Sequence, residues 1–514
     1  MVKGEDGPRS HDKFLLLPPR KAMSHSSGLN SQCDVQVIVT DAGETDVDKL
    51  EYQKSAYVAV ALILAITAVS VLFPIIVTSR LFSLNVSIFY TPPPPPCNDS
   101  CRVVLVESIP ENLTFTPGSP SHPSIFDGWM ELIASANKSI NIASFYWTMR
   151  GKDIGVDDPS VWQGEAVYKA LLKAGSKKSL TINIVQSQPS SGPAYDTLDL
   201  EKAGAATVRT LNMTRLLGNG VLHTKFWIVD DKHIYVGSAN QDFRSLTQVK
   251  ELGAVVYNCS CLAKDLSKIF SVYWDLALPN STIPSKWPSS YETRYNKDNP
   301  MSVSLNGTSS QVYLSSSPPP FSPGGRSDDL ASILDIIHKA KKFVHIAVMD
   351  YVPLTLYTPH TKFWPLIDDA LRKAAIERKV EVKLLASLWN HTRPDMLRCL
   401  ASLNDLRGVH RANIQVKLFH VPTFTPAQAK IPFARVNHNK YMVTDQVAYI
   451  GTSNWSGDYF INTAGVGLVV NQTNSADPSK VTTVQQQLAD IFKRDWTSEF
   501  TKPIPTQNWE NFIS

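Results

Sequence analysis

The stretch from His223 to Asp230, HTKFWIVD, decides the fold because it returns from His438 to Asp445 as HNKYMVTD. Each copy has the pattern His-x-Lys-x4-Asp and leads to a turn that ends in asparagine, residues 237–240 (GSAN) and 451–454 (GTSN). Apolar residues flank both copies and predict strands. One copy alone is a weak signal, and satisfied core histidines are the competing interpretation. Two copies with matching turns predict a duplicated unit.

The paired motifs contain the groups that a metal-free phosphodiesterase needs. One histidine can attack phosphorus while the other protonates the leaving oxygen. Lysines and asparagines can hold the phosphate oxygens as charge develops. Clustered carboxylates of the kind used by two-metal nucleases are not evident in the sequence, so we predict neither a metal nor a cofactor. The predicted catalytic residues are His223, Lys225, His438 and Lys440, supported by Asn240 and Asn454.

The motifs resemble the H-K-D motifs of the phospholipase D superfamily. Further stretches resemble its animal, single-pass, endolysosomal branch, whose members act as 5′-to-3′ exonucleases on single-stranded nucleic acid. These stretches are residues 105–110 (LVESIP), 143–147 (ASFYW), 245–252 (SLTQVKEL), 257–260 (YNCS) and 435–440 (RVNHNK). The resemblance spans roughly residues 97–500, and it implies that two similar halves bring both motifs into one pocket.

The resemblance also implies roles for the acidic residues. Glu251 is expected to orient His223, although a surface strand carboxylate is the alternative, and its counterpart is expected near Thr463. This support favours His223 as the nucleophile and His438 as the acid. The motif aspartates, Asp230 and Asp445, are expected to brace the fold.

The order of elements repeats in the two halves. Helices near 129–136 and 165–172 alternate with strands at 140–147 and 180–185, and a closing helix follows at 262–274. Matching helices near 330–341 and 364–375, strands at 343–351 and 380–386 and a closing helix at 481–496 predict two pseudo-symmetric α/β halves with largely parallel sheets. The expected divisions are a disordered cytoplasmic tail (1–54), a transmembrane signal anchor (55–79), a Pro-rich luminal stalk (80–101), the first half (102–310), a linker (311–326), the second half (327–500) and a C-terminal tail (501–514).

An uncharged run at residues 56–78 predicts a membrane span, since about 20 apolar residues cross a bilayer. Its length and position fit a cleaved signal peptide poorly. All the N-x-Ser/Thr sequons lie after this run, which predicts a single-pass type II protein with a luminal catalytic part. The resemblance to the endolysosomal branch implies passage through the endoplasmic reticulum and Golgi to endosomes and lysosomes. Asn454 is expected to be bare because it belongs to the second motif. The glycosylation candidates are Asn85, Asn98, Asn112, Asn137, Asn212, Asn258, Asn280, Asn306, Asn390 and Asn471.

Cysteines fit the same compartment. Two close pairs, Cys97 with Cys101 and Cys259 with Cys261, predict two disulfides of open connectivity and leave Cys399 as a thiol. In the tail, Asp12, Leu16 and Leu17 match an acidic dileucine sorting signal for adaptors. Whether the chain forms a homodimer, and whether proteolysis releases the luminal part, stays open.

Charge and aromatic residues give weaker hints about the substrate. The formal net charge is +4, which suits a polyanion without identifying one. Aromatic residues near the motifs are candidates for stacking on bases, with core packing as the alternative: Trp227, Phe243, Tyr441, Trp455, Tyr459 and Phe460.

We therefore predict a lysosomal 5′-to-3′ exonuclease that acts on single-stranded DNA and RNA through a phosphohistidine and limits innate sensing of nucleic acids. The alternative is a phospholipid phosphodiesterase or transphosphatidylase that makes bis(monoacylglycero)phosphate from a lysophospholipid. A catalytically inactive glycoprotein is disfavoured because His and Lys are intact in both motifs. Sequence does not separate the two enzymes, because loops build the pocket that would choose between substrates.

Overall fold

The computed structural model describes residues 97–190, 192–472 and 482–504. The tail 1–54, its sorting signal (Asp12, Leu16 and Leu17), the span 55–79 and the sequon Asn85 lie outside these residues, so their predictions stay predictions. Among the described residues, none of the helices combines the length and apolarity required to cross a bilayer.

The first half alternates strands and helices. Its strands are β1 (Ser100–Ser108), β2 (Ser139–Ser144), β3 (Trp147–Thr148), β4 (Thr181–Ser187), β5 (Thr207–Leu211), β6 (Phe226–Val229), β7 (His233–Gly237), β8 (Gln241–Asp242), β9 (Glu251–Tyr257) and β10 (Met301–Leu305). Its α-helices are α1 (Ile125–Ser135), α2 (Trp162–Gly175), α3 (Tyr195–Lys202), α4 (Met213–Leu217), α5 (Phe243–Thr247) and α6 (Ser260–Leu276).

The second half repeats this order. Its strands are β11 (Thr308–Ser317), β12 (Ser327–Asp328), β13 (Phe343–Val348), β14 (Leu354–Thr355), β15 (Lys362–Phe363), β16 (Glu381–Leu388), β17 (Ile414–His420), β18 (Lys440–Thr444), β19 (Val447–Gly451), β20 (Gly465–Asn471) and β21 (Thr501–Pro503). Its α-helices are α7 (Asp329–Lys339), α8 (Leu366–Ile376), α9 (Pro394–Asn404), α10 (Pro426–Lys430), α11 (Asp458–Ile461) and α12 (Val484–Thr497).

The two sheets have the same strand order and the same strand directions. The first sheet runs β5-β4-β2-β6-β7-β9-β1, and the second runs β17-β16-β13-β18-β19-β20-β11. Within these two seven-strand sheets, only β2, β4 and β5, and their counterparts β13, β16 and β17, pair in parallel. The α/β class is confirmed, but the expectation of largely parallel sheets is wrong because both motif hairpins and their neighbours pair antiparallel.

Burial explains why the two halves hold together. One core belongs to each half, beneath α1 and α2 in the first and beneath α7, α8 and α9 in the second. A third core contains residues of both sheets together with the closing helices α6 and α12. Strands β6 and β18 are buried along their whole length, as expected for strands covered on both faces. The motif strands therefore lie at the centre of each half.

The expected linker 311–326 is wrong over its first part. Residues 311–317 belong to β11, and each of them, from Gln311 to Ser317, pairs with a residue of β20. Strand β10 pairs with both β1 and β11 and joins the two sheets. The expected stalk and C-terminal tail are also too long, because residues 100 and 101 begin β1 and residues 501–503 form β21 against β17. Serine-rich sequence was misleading here because its small side chains are buried in the sheet.

Candidate active site

Each motif histidine lies just before its strand and is anchored to the opposite half. The backbone N–H of His223 donates to the carbonyl of Ala464 (2.9 Å), and that of His438 donates to the carbonyl of Lys250 (2.8 Å). These bonds lie beside the isolated bridges that Leu222 and Asn437 make with the same two partners. The contacts bring the two motifs to one place, as the family resemblance implies.

Both histidines line one cavity of about 330 Å³, which we call the catalytic cavity. His223 is 5% exposed and His438 is 9% exposed. Besides the histidines, its wall is formed by Phe145, Tyr146, Asn240, Asp242, Arg244, Ser245, Val249, Glu251, Met349, Asp350, Tyr357, Trp389, Phe433, Val436, Asn454 and Tyr459. The site is therefore a pocket that opens to solvent and is built from both halves.

The geometry around His223 fixes its tautomer. Its Nδ1 lies 2.9 Å from the carbonyl oxygen of Thr452, and because a carbonyl only accepts, Nδ1 carries the hydrogen and Nε2 keeps a lone pair. The rings of Phe145 and Tyr459 lie 5.0 Å from the imidazole. Burial, followed by the charges of Lys225 and Lys440, holds the pKa of His223 well below its usual value. His223 is therefore neutral and oriented, as a nucleophile requires.

His438 is paired with a carboxylate. Its Nδ1 lies 2.8 Å and 2.9 Å from the two oxygens of Glu251, which is fully buried. Burial lowers the pKa of His438, while the Glu251 carboxylate opposes this shift. Burial tends to raise the pKa of Glu251, whereas the charge and the hydrogen bond of His438 tend to lower it. The net shift of the Glu251 pKa is downward. The Glu251 carboxylate therefore opposes the loss of the His438 proton, although the net shift of the His438 pKa is downward.

The expectation that Glu251 orients His223 is wrong. Glu251 follows Lys250, whose carbonyl accepts from the backbone of His438. The Glu251 side chain therefore reaches the imidazole of His438 in the other half. Sequence distance pointed to His223 because packing across the halves is not visible in one sequence. The structure still favours His223 as the nucleophile and His438 as the acid. The difference is that Glu251 supports His438 and not His223.

The counterpart of Glu251 is Gly465, not Thr463. Register shows this, since Gly253 pairs with Gly237 in the first half and Gly467 pairs with Gly451 in the second. A Cβ atom on Gly465 would clash with Oγ of Ser453. The second half thus has no room for a carboxylate at this position, and the carbonyl of Thr452 takes its place beside His223.

Both motif lysines are buried and lie beside their own histidines. Nζ of Lys225 donates to the carbonyl of His223 (2.6 Å), and Nζ of Lys440 donates to that of His438 (2.8 Å). Burial lowers both lysine pKa values; the pKa of Lys225 falls well below its usual value and that of Lys440 falls to about 7. A phosphate anion would offset this cost by pairing with the ammonium groups.

The two asparagines brace the wall of the cavity. Nδ2 of Asn240 donates to the Tyr146 hydroxyl (3.3 Å), which in turn donates to Asp242 (2.9 Å). Nδ2 of Asn454 donates to Asp350 (3.1 Å) and to the Tyr459 hydroxyl (3.2 Å). Both hydrogens of Asn454 are therefore engaged in this structure, and its donation to phosphate stays a prediction.

Asp350 is a cavity residue that the sequence reasoning missed. It lies just after β13 at the position that Tyr146 holds after β2, and burial raises its pKa to about 6 while Lys440 opposes the shift. Its position at the end of a repeated strand was the signal that could have found it.

Asp230 and Asp445 lie outside the cavity and brace the backbone. Asp230 accepts from the N–H groups of Asn137, Lys138 and Ser139 at 2.8–2.9 Å. Asp445 accepts from the N–H groups of Lys341 and Lys342 at 2.9–3.0 Å. Each carboxylate thus ties the end of a motif strand to the turn that starts the neighbouring strand.

The aromatic residues proposed for stacking are mostly core residues. Tyr459 lines the catalytic cavity, but the other candidates are almost completely buried and lie outside it: Trp227, Phe243, Tyr441, Trp455 and Phe460. The stacking expectation is wrong for these five because their side chains are buried in the cores, on strands in the case of Trp227 and Tyr441 and on helices or turns in the others. The aromatic rings that do reach the cavity come mainly from loops.

The structure pairs Cys97 with Cys261 and Cys101 with Cys259, and Cys399 is a free thiol. The two bridges tie the start of β1 to the segment after β9.

The sequon asparagines differ in exposure. Six are exposed, namely Asn98, Asn112, Asn137, Asn258, Asn280 and Asn390, and three are half-buried, namely Asn212, Asn306 and Asn471. Asn306 bonds both the N–H and the carbonyl of Val103 (2.9 Å each), an arrangement that a glycan on its amide would break.

Comparison with known proteins fits this two-histidine site, which is that of a PLD-like protein. The family model described as PLD3/4, PLD-like domain matches residues 117–424. The chain is 55% identical to the 5′-3′ exonuclease PLD3 of Xenopus laevis over 416 residues, covering 80% of this chain and 83% of that protein. It is 49% identical to human 5′-3′ exonuclease PLD3 over 414 residues, with shares of 80% and 83%. It is 44% identical to mouse 5′-3′ exonuclease PLD4 over 414 residues, with shares of 80% and 81%. The chain belongs to the PLD3/4 family of PLD-like proteins.

Proposed function

We propose that this protein is a 5′-to-3′ exonuclease that cleaves single-stranded DNA and RNA without a metal ion, through a phosphohistidine on His223. The observation that carries the proposal is the unequal support of the two imidazoles in one cavity. The carbonyl of Thr452 fixes the tautomer of His223, whose imidazole burial keeps neutral, while the Glu251 carboxylate favours the charged form of His438. The relatives named 5′-3′ exonuclease PLD3 supply the substrate class and the direction of cleavage.

In the first step, the Nε2 lone pair of His223 forms a bond to phosphorus. The bond from phosphorus to the leaving oxygen breaks, and His438 gives its Nε2 proton to that oxygen. Lys225 and Lys440 lie beside the histidines and balance the charge of the non-bridging oxygens as the transition state forms.

In the second step, His438 is neutral and acts as the base. It takes a proton from water as the water oxygen bonds to phosphorus, and the bond between phosphorus and His223 breaks. Both histidines then return to their starting protonation states. Because Glu251 holds Nδ1 of His438 throughout, the same nitrogen, Nε2, serves in both steps.

The experiment that tests this proposal follows a 3′-labelled, single-stranded oligonucleotide in acidic buffer containing EDTA. Loss of one nucleotide at a time from the 5′ end is expected with the natural chain, and none with His223→Ala or His438→Ala. Phosphatidylglycerol serves as the parallel substrate. Turnover of the lipid without shortening of the oligonucleotide would contradict the proposal, and a loss of nuclease activity in EDTA that Mg²⁺ restores would contradict its metal independence.

We also propose that the chain is a single-pass type II glycoprotein of the endolysosomal lumen. The uncharged run at 56–78, two disulfides and exposed sequon asparagines such as Asn280 support this location, because disulfides and N-glycans belong to oxidising luminal compartments. Degrading nucleic-acid ends there would limit the ligands of innate sensors. Cleavage of the catalytic part by protease added to sealed vesicles would contradict this topology.

A further inference from the structure

An exposed aromatic platform lies at one rim of the catalytic cavity. Phe433 is 62% exposed, and its ring stacks on His391 with centroids 4.9 Å apart and an interplanar angle of 22°. Trp389 packs edge-on against the same imidazole at 4.7 Å. Single exposed apolar residues are common, but Phe433 differs from them because it is the exposed end of an aromatic stack that lines the catalytic cavity.

The backbone beneath this platform is held in place. Phe433 and Arg435 both have positive φ, 56° each, which is costly for residues other than glycine. The Arg244 guanidinium donates to the carbonyl of Pro432 (2.7 Å), and the Arg435 guanidinium donates to that of Pro422 (2.7 Å). Two buried cations thus keep the Phe433 ring presented to solvent at the cavity mouth.

Trp389 and Phe433 line two spaces at once. Besides the catalytic cavity they form the wall of a polar space of about 180 Å³, the His391 cleft. The cleft also contains Arg435 and two imidazoles, His391 and His420. The platform therefore marks the passage from the catalytic cavity into a cleft with basic side chains.

A second space that adjoins the catalytic cavity differs in charge from the His391 cleft. Phe145 and Tyr146 line both the catalytic cavity and this space, which has a volume of about 490 Å³. Its described lining residues include the acid Asp153 and no Lys, Arg or His. A strand that continues past the site carries a phosphate at every nucleotide, so it favours the side with basic groups.

We propose that Trp389, His391 and Phe433 form the subsite for the continuing strand, with Phe433 stacking on the base immediately 3′ of the scissile phosphate. This inference rests on the proposed exonuclease function. His438 lies on the same side as the platform, since Val436 and Phe433 belong to the loop that leads into its motif. The polar cleft beyond then receives the following backbone phosphate.

The test is a cycle that removes the aromatic ring and the base separately. The enzyme or its Phe433→Ala variant is given an oligonucleotide whose second nucleotide is either intact or abasic, and kcat/KM is measured for release of the first nucleotide. Each change alone is expected to lower kcat/KM about five- to hundredfold, the range for one stacked base. The two changes together are expected to cost no more than one of them, because they break the same contact.

Matched variants separate stacking from general damage. Phe433→Tyr should keep near-natural rates, and Phe363→Ala, which removes a phenylalanine 73% exposed on β15, should leave both substrates unaffected. Equal effects of Phe433→Ala on intact and abasic substrates would overturn the subsite. If the natural chain shortens neither oligonucleotide, the proposed function fails; if it shortens both at the same rate, only the subsite fails.

Discussion

Glu251 of the first half accepts a hydrogen bond from Nδ1 of His438 of the second half, with Oε2 2.8 Å away. The carboxylate is completely buried, and its net pKa is lowered, so it is an anion in the folded protein. One half therefore supplies the acid–base histidine and the other half supplies its partner. Neither half contains a complete site.

Replacing Glu251 with Gln removes this anion but keeps the shape of the side chain. The pKa of His438 should fall further, because burial then acts without an opposing charge. We expect kcat on single-stranded DNA to fall about 100-fold, within the range for loss of acid–base catalysis. The matched control is Glu381→Gln, which breaks another carboxylate–histidine pair, with His345 at 2.8 Å, outside the site. Equal losses in both variants would argue against a specific role.

The covalent intermediate should form on His223 and not on His438. In a His438→Asn variant, a substrate with a p-nitrophenyl leaving group needs no acid in the first step, whereas the second step still lacks its base. The phosphoryl group should then accumulate on His223, where peptide mapping after rapid denaturation at alkaline pH would find it. His223→Asn is expected to yield no adduct. An adduct on His438 in that variant would reverse the assignment.

The activity should decrease with rising pH in two stages. The acid His438 must be protonated, and its pKa is lowered below the usual value by burial; Lys440 loses its charge near its pKa of about 7. Both groups act in their protonated forms, so log kcat/KM should fall with slope −1 and then with slope −2 above about pH 7. His223 stays neutral into the acid range because its pKa is well below normal.

The variant Lys440→Arg checks the second stage. Arginine keeps its charge at all these pH values, so the slope should stay at −1 above pH 7 even if the overall rate is lower. Measurements of initial rate at saturating and limiting substrate would separate binding from turnover. An unchanged slope of −2 in this variant would assign the second ionisation to another group.

The sequence predicted the local parts of this site well. The patterns around His223 and His438 placed each histidine, its lysine and the following strand correctly, because these relations depend on neighbours in the chain. The repeated helices also began and ended within a few residues of the expected positions, as at α7 and α12. Local propensity and alternation were sufficient for these features.

The errors share one physical cause, which is packing between distant segments. Glu251 reaches His438 because the halves face each other, and the distance along the chain gave no sign of this. The serines of β11 looked like a linker because small polar residues also suit a tightly packed strand. Phe433 escaped notice because an exposed loop residue has no periodic pattern. Each of these features became clear only from the three-dimensional neighbours.

Gly465 explains why the site is asymmetric, and this explanation can be tested by stability. In the first half Ala239 leaves room for Glu251, whereas in the second half the equivalent Ser453 fills the space over Gly465. Gly465→Ala alone should lower the free energy of unfolding by about 1–3 kcal/mol, the usual cost of overpacking. Combining it with Ser453→Ala should recover most of this loss, because the clashing hydroxyl is gone. Denaturant unfolding of the single and double variants measures both effects. If the double variant is no more stable than Gly465→Ala, another neighbour, such as Ser317, requires the small size of residue 465. The hydroxyl of Ser453 would then not be the reason that this position lacks a carboxylate.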